Sequence, residues 1–331
     1  MRYPFSSYPI GWFAIGLEDE IKRSEVTTVT AFGEELIAFR DEAGAPQVLA
    51  AHCPHLGAHL GHGGTVVGDC VRCPFHGISF NGRGDARLPD GSPGQKTLKT
   101  RAWHARDVDG AVMIWFHPDG GEPAYEPVRY FDLRGEDGWT PMQWHTWRGL
   151  KAHPQETSEN SVDLLHFSAV HGYEDVAIVD DLKASGPVEA ADARVAEGPV
   201  LRIAYQMTRK LDSVGMPGQS AKSIFRVRVH GLGHSVVEVT TPMFNTEFRT
   251  YVLCTPINEH EVILRGGGTM KELPNAQMNE MVGGLFFKGF VDDVEQDFAI
   301  WENKAYMERP ALIAGDGPVG AYRKWCRQFY A

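Results

Sequence analysis

The chain has 331 residues, 43% of them hydrophobic and 23% charged, with 43 acidic side chains against 32 basic ones and a net charge of −11. That length supplies cores for two modest domains, and the negative balance repels polyanions, so nucleic acid is excluded as a partner. No apolar run is long enough to span a bilayer, and Met1 to Gly16 lacks the pattern of a signal peptide; a cytoplasmic protein is expected.

Strand-like runs come first: Val26 to Thr30, Glu35 to Phe39 and Gln47 to Ala51, separated by turns such as Asp41-Glu42-Ala43-Gly44. Further runs at Thr65 to Val71 and Ala111 to Phe116 bracket a Gly- and Pro-rich stretch from Gly82 to Gly94. Residues 1–118 therefore read as one small all-β domain, with His117 to Pro127 as the linker. In residues 119–331, Glu156 to Val170 reads helical, Val200 to Gly268 alternates as an antiparallel sheet, and Ala276 to Lys304 forms a long helix. The expected fold class is α+β, an all-β domain followed by a sheet-plus-helices domain able to enclose a pocket.

Five cysteines, at 53, 70, 73, 254 and 326, are too few and too uneven for a disulfide framework and fit a reducing compartment with a metal site. Cys53-x-His55, 17 further residues, then Cys73-x-x-His76 supplies two thiolates and two imidazoles from two short loops. A tetrahedral zinc site could use that set, but the order and the Pro after each Cys depart from zinc-finger spacing. A [2Fe-2S] cluster with both cysteines on one iron and both histidines on the other fits better. Gly57, Gly61, Gly63, Gly64 and Gly77 let backbone N–H groups approach bridging sulfides, while Pro54 and Pro74 stiffen the cysteine positions. Cys53-Pro54-His55 and Cys73-Pro74-Phe75-His76-Gly77 resemble the two loop motifs of the Rieske family. Cys70, Cys254 and Cys326 read as small buried apolar residues.

Glu159, Asp163 and His166 are spaced to share one helix face, and His171 follows five residues later, about 140° round a straight helix. For the two imidazoles to converge on one ion, the helix must bend or end between them, with Gly172 as a plausible terminator. A third donor is sought among Asp292, Asp293, Glu295 and Asp297 of the late helix. Val282, Phe286, Phe290, Val294 and Trp301 all fall within about 60° of Asp297, which puts that carboxylate on the buried face where it wants a metal. Asp293, at the edge of the stripe, is the rival. Asp163-x-x-His166-x-x-x-x-His171 resembles the mononuclear iron motif of Rieske non-haem iron oxygenases. The stretch Ile300-Trp301-Glu302-Asn303-Lys304 and the tail from Asp316 to Tyr330 are similar to the 3-ketosteroid 9α-hydroxylase oxygenase and sterol 7-desaturase group.

The resemblance implies a Rieske domain followed by a START-like, helix-grip catalytic domain. It implies a [2Fe-2S] cluster on Cys53, His55, Cys73 and His76, and Fe(II) on His166, His171 and Asp297. It further implies a homotrimer in which Asp163 bridges an iron-ligating His to a Rieske His of the neighbouring subunit. The expected activity is monohydroxylation of a hydrophobic, steroid-like substrate with O2; an aromatic acid substrate, desaturation and demethylation stay open. No Gly-rich dinucleotide fingerprint is present, since Gly231-x-Gly233 and Gly266-Gly267-Gly268 lack its context, so a separate NAD(P)H-dependent reductase, alone or through a ferredoxin, must supply electrons. Arg226 and Arg228 would anchor a carboxylate if they faced the cavity. A Rieske electron carrier with a ligand-binding domain is the non-enzyme alternative.

Overall fold

The computed structural model of the protein describes residues 4–5, 7–129, 138–185, 198–212 and 216–330. Its first half holds β1 (Gly11–Leu17), β2 (Val26–Ala31), β3 (Glu34–Arg40), β4 (Pro46–Ala50), β5 (Thr65–Val67), β6 (Cys70–Arg72), β7 (Ser79–Asn81), β8 (Ala86–Arg87), β9 (Ala102–Trp103), β10 (Ala105–Val108) and β11 (Ala111–Phe116). They form three antiparallel sheets, in the orders β1-β11-β10, β2-β3-β4-β9 and β5-β6-β7-β8. The expected single run from Thr65 to Val71 is instead a hairpin, turned at Gly68 with φ +63°.

The unbroken apolar runs of β3 and β11 follow from burial on both faces. Successive side chains of a strand point to opposite sides. In β3, Leu36 and Ala38 enter one core and Ile37 and Phe39 another, the latter containing Cys53 and Cys73. In β11, Val112, Ile114 and Phe116 face the first of these cores. Ala111, Met113 and Trp115 pack with Val236, Tyr251 and Leu253 of the second half.

The second half contains β12 (Gln143–Leu150), α1 (Pro154–Glu159), α2 (Leu165–Ala169), β13 (Glu174–Ala184), β14 (Val200–Lys210), β15 (Ser220–His230), β16 (His234–Thr241), β17 (Thr246–Pro256), β18 (Val262–Met270), α3 (Ala276–Gln296), α4 (Phe298–Trp301) and α5 (Val319–Cys326). The strands make one seven-stranded antiparallel sheet, β12-β18-β17-β16-β15-β14-β13. One face rests on the first half. Arg265, 1% exposed, donates to the carbonyls of Ala14 (3.0 Å) and Ile15 (3.1 Å), and Tyr251 donates to Asp109 (2.6 Å). The other face carries the helices and a cavity.

Gly266, Gly267 and Gly268 lie in β18, where they let large rings close on the strand. A Cβ on Gly266 would sit 2.8 Å from the Phe290 ring of α3, one on Gly268 2.6 Å from Phe287, and one on Gly267 2.6 Å from Trp144 across the sheet.

Two helical expectations are corrected. The helix expected over Glu156 to Val170 is two short helices, because the C-terminal tail enters between them: the Leu164 N–H donates to the Asp316 carbonyl at 3.0 Å, and Gly317 packs against Val162 and Leu164. The late helix ends at Gln296 and restarts at Phe298, with Asp297 at the joint.

Candidate metal centres

The two cysteine loops are built alike. The Cys53 N–H donates to the Ala58 carbonyl (2.8 Å) and Gly57 N–H to Cys53 (2.9 Å); the Cys73 N–H donates to Ile78 (2.7 Å) and Gly77 N–H to Cys73 (3.1 Å). Both turns close on a glycine in the left-handed region, Gly57 at φ +77° and Gly77 at φ +69°. This repeat brings the two thiols into hydrogen-bond contact within the core and leaves the His55 and His76 rings exposed, 4.8 Å apart between centroids.

Burial pushes the Cys53 thiol up, while the N–H groups of His55 and Leu56 point at its sulfur and favour the thiolate. Paired thiols, paired imidazoles and N–H groups already aimed at sulfur fit a cluster with sulfide bridges. Leu56 and Phe75, 66% and 60% exposed, flank the two histidines.

The second cluster gathers at one end of the cavity. One ring nitrogen of His166, one of His171 and a carboxylate oxygen of Asp297 lie within 4.8 Å of one another. His171 lies beyond the end of α2, past the break expected between the two histidines, and Gly172 follows with φ +70°. The Nδ1–H of His166 donates to the Asp163 carbonyl (2.5 Å) and that of His171 to Gln296 Oε1 (3.0 Å), so each ring holds its proton on Nδ1 and turns Nε2 free. His171 Nε2 is 3.6 Å from Asp297 Oδ1.

Burial drives the His166 pKa down to about 4, and burial drives the Asp297 carboxyl up to about 6, although His171 and the Asn160 amide draw it back. Two imidazoles and a desolvated carboxyl turned toward one point fit a divalent cation, with an apolar space left beside it.

The remaining candidate side chains are engaged as follows. Asp163 touches the His166 ring through its backbone carbonyl; among the described residues its carboxylate accepts from the His166 backbone N–H, at 3.4 Å. Glu159 does not turn to the cluster, because the Arg323 guanidinium holds both its oxygens, at 2.5 and 2.8 Å. Asp293 is held by Arg209 through two bonds of 3.1 Å and by the Tyr173 hydroxyl at 2.9 Å. Arg226 and Arg228 lie on the opposite face of β15 from cavity-lining Phe225, bonded to Thr240 (3.2 Å) and Glu238 (2.7 Å). Asn160, Tyr173, Arg209 and Gln296 were missed; for Arg209 the available signal was its place in the alternating series Leu201, Ile203, Tyr205, Met207.

The cavity opens on about 1090 Å³ of atom-free space, the solvent at its mouth included. Phe286, Phe290, Val294, Asp297 and Trp301 line it from the helical side, the stripe expected from the helical wheel. From Asp297 to Phe286 is eleven residues, about 16 Å of helix, and Phe286 closes the far end by stacking on Phe248 at 3.8 Å.

Residues 11–101 match the Rieske [2Fe-2S] domain, and residues 114–330 match the 3-ketosteroid 9alpha-hydroxylase C-terminal domain. The chain is 28% identical over 335 residues to a 3-ketosteroid-9-alpha-monooxygenase oxygenase component of Rhodococcus rhodochrous, covering 97% of this chain and 80% of that one. It is also 28% identical over 339 residues to the cholesterol 7-desaturase nvd of Bombyx mori, covering 98% and 70%. Dicamba monooxygenase bound to dicamba has the same fold, with a TM-score of 0.69 at 19% identity over 97% of both chains.

Proposed function

The chain belongs to the 3-ketosteroid 9alpha-hydroxylase family of Rieske oxygenases, and on that premise we propose that it is the oxygenase component of a monooxygenase acting on a neutral, rigid, steroid-like molecule. The observation that carries the substrate class is the charge balance of the cavity. Among the described residues, Arg209 is the only Lys or Arg lining it, and its fork is taken by Asp293. A carboxylate entering would find no free cation, whereas an apolar ring system meets Phe167, Tyr205, Phe225, Val237, Val252 and Phe290. Thr157 and Ser158 spend their hydroxyls on the Pro154 carbonyl, at 3.0 and 2.7 Å.

In this reading Cys53 and Cys73 hold one iron of the [2Fe-2S] cluster, His55 and His76 the other, and His166, His171 and Asp297 hold a mononuclear Fe(II). When bound, these centres store electrons and activate O2 beside the substrate. The chain's own part is to present free Nε2 atoms, exclude water with aromatic walls, and fix which substrate bond faces the triad.

Residues 1–118 and 119–331 are the corresponding domains. We further propose a cytoplasmic homotrimer. All five thiols are buried and free of disulfides, in keeping with a reducing compartment, and among the described residues no helix is long and apolar enough to cross a membrane. The cluster loops belong to a core separate from the one that packs against the large sheet, which supports electron transfer between subunits, with the carboxylate of Asp163 facing the neighbour's Rieske His. A separate NAD(P)H-dependent reductase, alone or through a ferredoxin, would dock at the exposed His55 and His76 tip.

The test is one turnover of anaerobically reduced holoprotein mixed with oxygen and a panel of 3-ketosteroids, sterols and aromatic acids, with products read by mass. A steroid gaining one oxygen is expected. Loss of two hydrogens would make the enzyme a desaturase, and product from aromatic acids alone would overturn the steroid reading.

A further inference from the structure

We propose that Tyr173, Asp293 and Arg209 form a positioning network that sets the separation between His171 and Asp297; this rests on reading His166, His171 and Asp297 as an iron site. Each end of the network lies one short step along the chain from a metal donor. Tyr173 follows His171 by two residues, across Gly172 at φ +70°. Asp293 precedes Asp297 by one turn on the same face of α3. The 2.9 Å bond from the Tyr173 hydroxyl to Asp293 therefore ties the loop that carries one donor to the helix that carries the other.

Arg209 fastens that tie to the sheet. Rooted in β14, it makes a two-bond fork on Asp293, at 3.1 Å each, and reaches the Tyr173 oxygen at 3.4 Å. The fork has been given room: Gly289, one turn before Asp293, would place a Cβ 3.0 Å from Arg209 Nη1. The helix thus carries a poor helix former where a Cβ would crowd the guanidinium by a few tenths of an ångström. Because Arg209 cancels the Asp293 charge, the network adds no net charge beside the triad, and Asp293 is withdrawn from competition with Asp297 for the ion. Groups that hold a ligand's carrier in place commonly matter ten- to a hundredfold for metal affinity or activity.

Tyr173→Phe removes one hydroxyl and keeps the ring. In protein with its cluster intact, Fe(II) affinity of the second site is read by chelator competition, and its symmetry by electron paramagnetic resonance of the nitric oxide adduct. The expected result is a ten- to hundredfold weaker Fe(II) site with an altered nitrosyl signal, an unchanged Rieske signal, and a smaller loss in Arg209→Lys, which keeps the charge but not the fork. Wild-type affinity and an identical nitrosyl signal in Tyr173→Phe would overturn the proposal whatever happens to stability, since a packing role would move only the latter. If Tyr173→Phe fails to fold, Arg209→Lys decides by the same two readouts. A wild-type protein binding no Fe(II) beyond its cluster would overturn the iron reading itself, and the network with it.

Discussion

Gly266→Ala puts the fit of α3 on β18 to a numerical test. The new Cβ would lie 2.8 Å from the Phe290 ring and 3.1 Å from Trp147, against the 3.4 Å at which ordinary contact begins, so the Phe290 ring must retreat by about 0.6 Å. Overpacking of this kind costs about 1–3 kcal/mol, from which the lower unfolded-state entropy of Ala over Gly returns about 0.5–1 kcal/mol. The net loss of up to about 2.5 kcal/mol should lower Tm by as much as roughly 4 °C in a chain of this size. Phe290 lines the cavity, so KM for the turned-over substrate should rise.

Gly268→Ala is the comparison, because its Cβ meets Phe287, which does not line the cavity. It should cost similar stability and leave KM alone. Calorimetry and steady-state kinetics on both, with Phe290→Leu added to Gly266→Ala to relieve the clash, complete the cycle. Equal KM changes in the two glycine variants, or a double variant no more stable than Gly266→Ala, would refute the assignment of the glycines to ring packing.

Asp163→Asn should keep both metals and lose most turnover; iron counting with product analysis checks it, and normal product formation would remove Asp163 from the electron path. His166→Ala should lose one iron per chain with the Rieske signal intact, and unchanged iron content would contradict the second site. Acid should destabilise the metal-loaded protein through histidines buried in neutral form. Burial lowers His153 to about 3 and His234 to about 4, while the unfolded chain takes up their protons near 6.5. Stability is therefore full above pH 6.5 and falls as pH drops below it, by roughly 2 kcal/mol per group between pH 7 and 5. Burial lowers His230 as well, so His234→Phe, which can keep the stacking on Tyr251, should make that slope in Tm against pH shallower without halving it.

Groups that act together while lying close in the chain were legible beforehand. The Cys53 and Cys73 loops and the His166, His171 pair carry their chemistry in short spacings, and Asp297 stood out because a helical wheel needs only its own helix. What was hidden depends on partners far away. The break between α1 and α2 is made by Asp316 and Gly317, and the withdrawal of Asp293 by Arg209, 84 positions earlier. Alternation in β15 grouped Arg226 with Arg228, but only the packing of β14 and α3 decides which face is the cavity. Arg265 reads as one more surface cation until the carbonyls of Ala14 and Ile15 are set above it.

The tail wedged beside the segment that carries His166 also orders events during synthesis. Arg323 grips Glu159 from 164 positions downstream, Tyr322 donates to the Gln155 carbonyl at 2.7 Å, and Asp316 supplies the acceptor for Leu164. None of these braces exists while the ribosome is still reading the strands of the large sheet. The cysteine loops close on hydrogen bonds within themselves, so the Rieske unit can take shape on the nascent chain. Cluster assembly should precede Fe(II) uptake in the life of each molecule, and chains stalled before residue 316 should carry the Rieske signal without a competent second site.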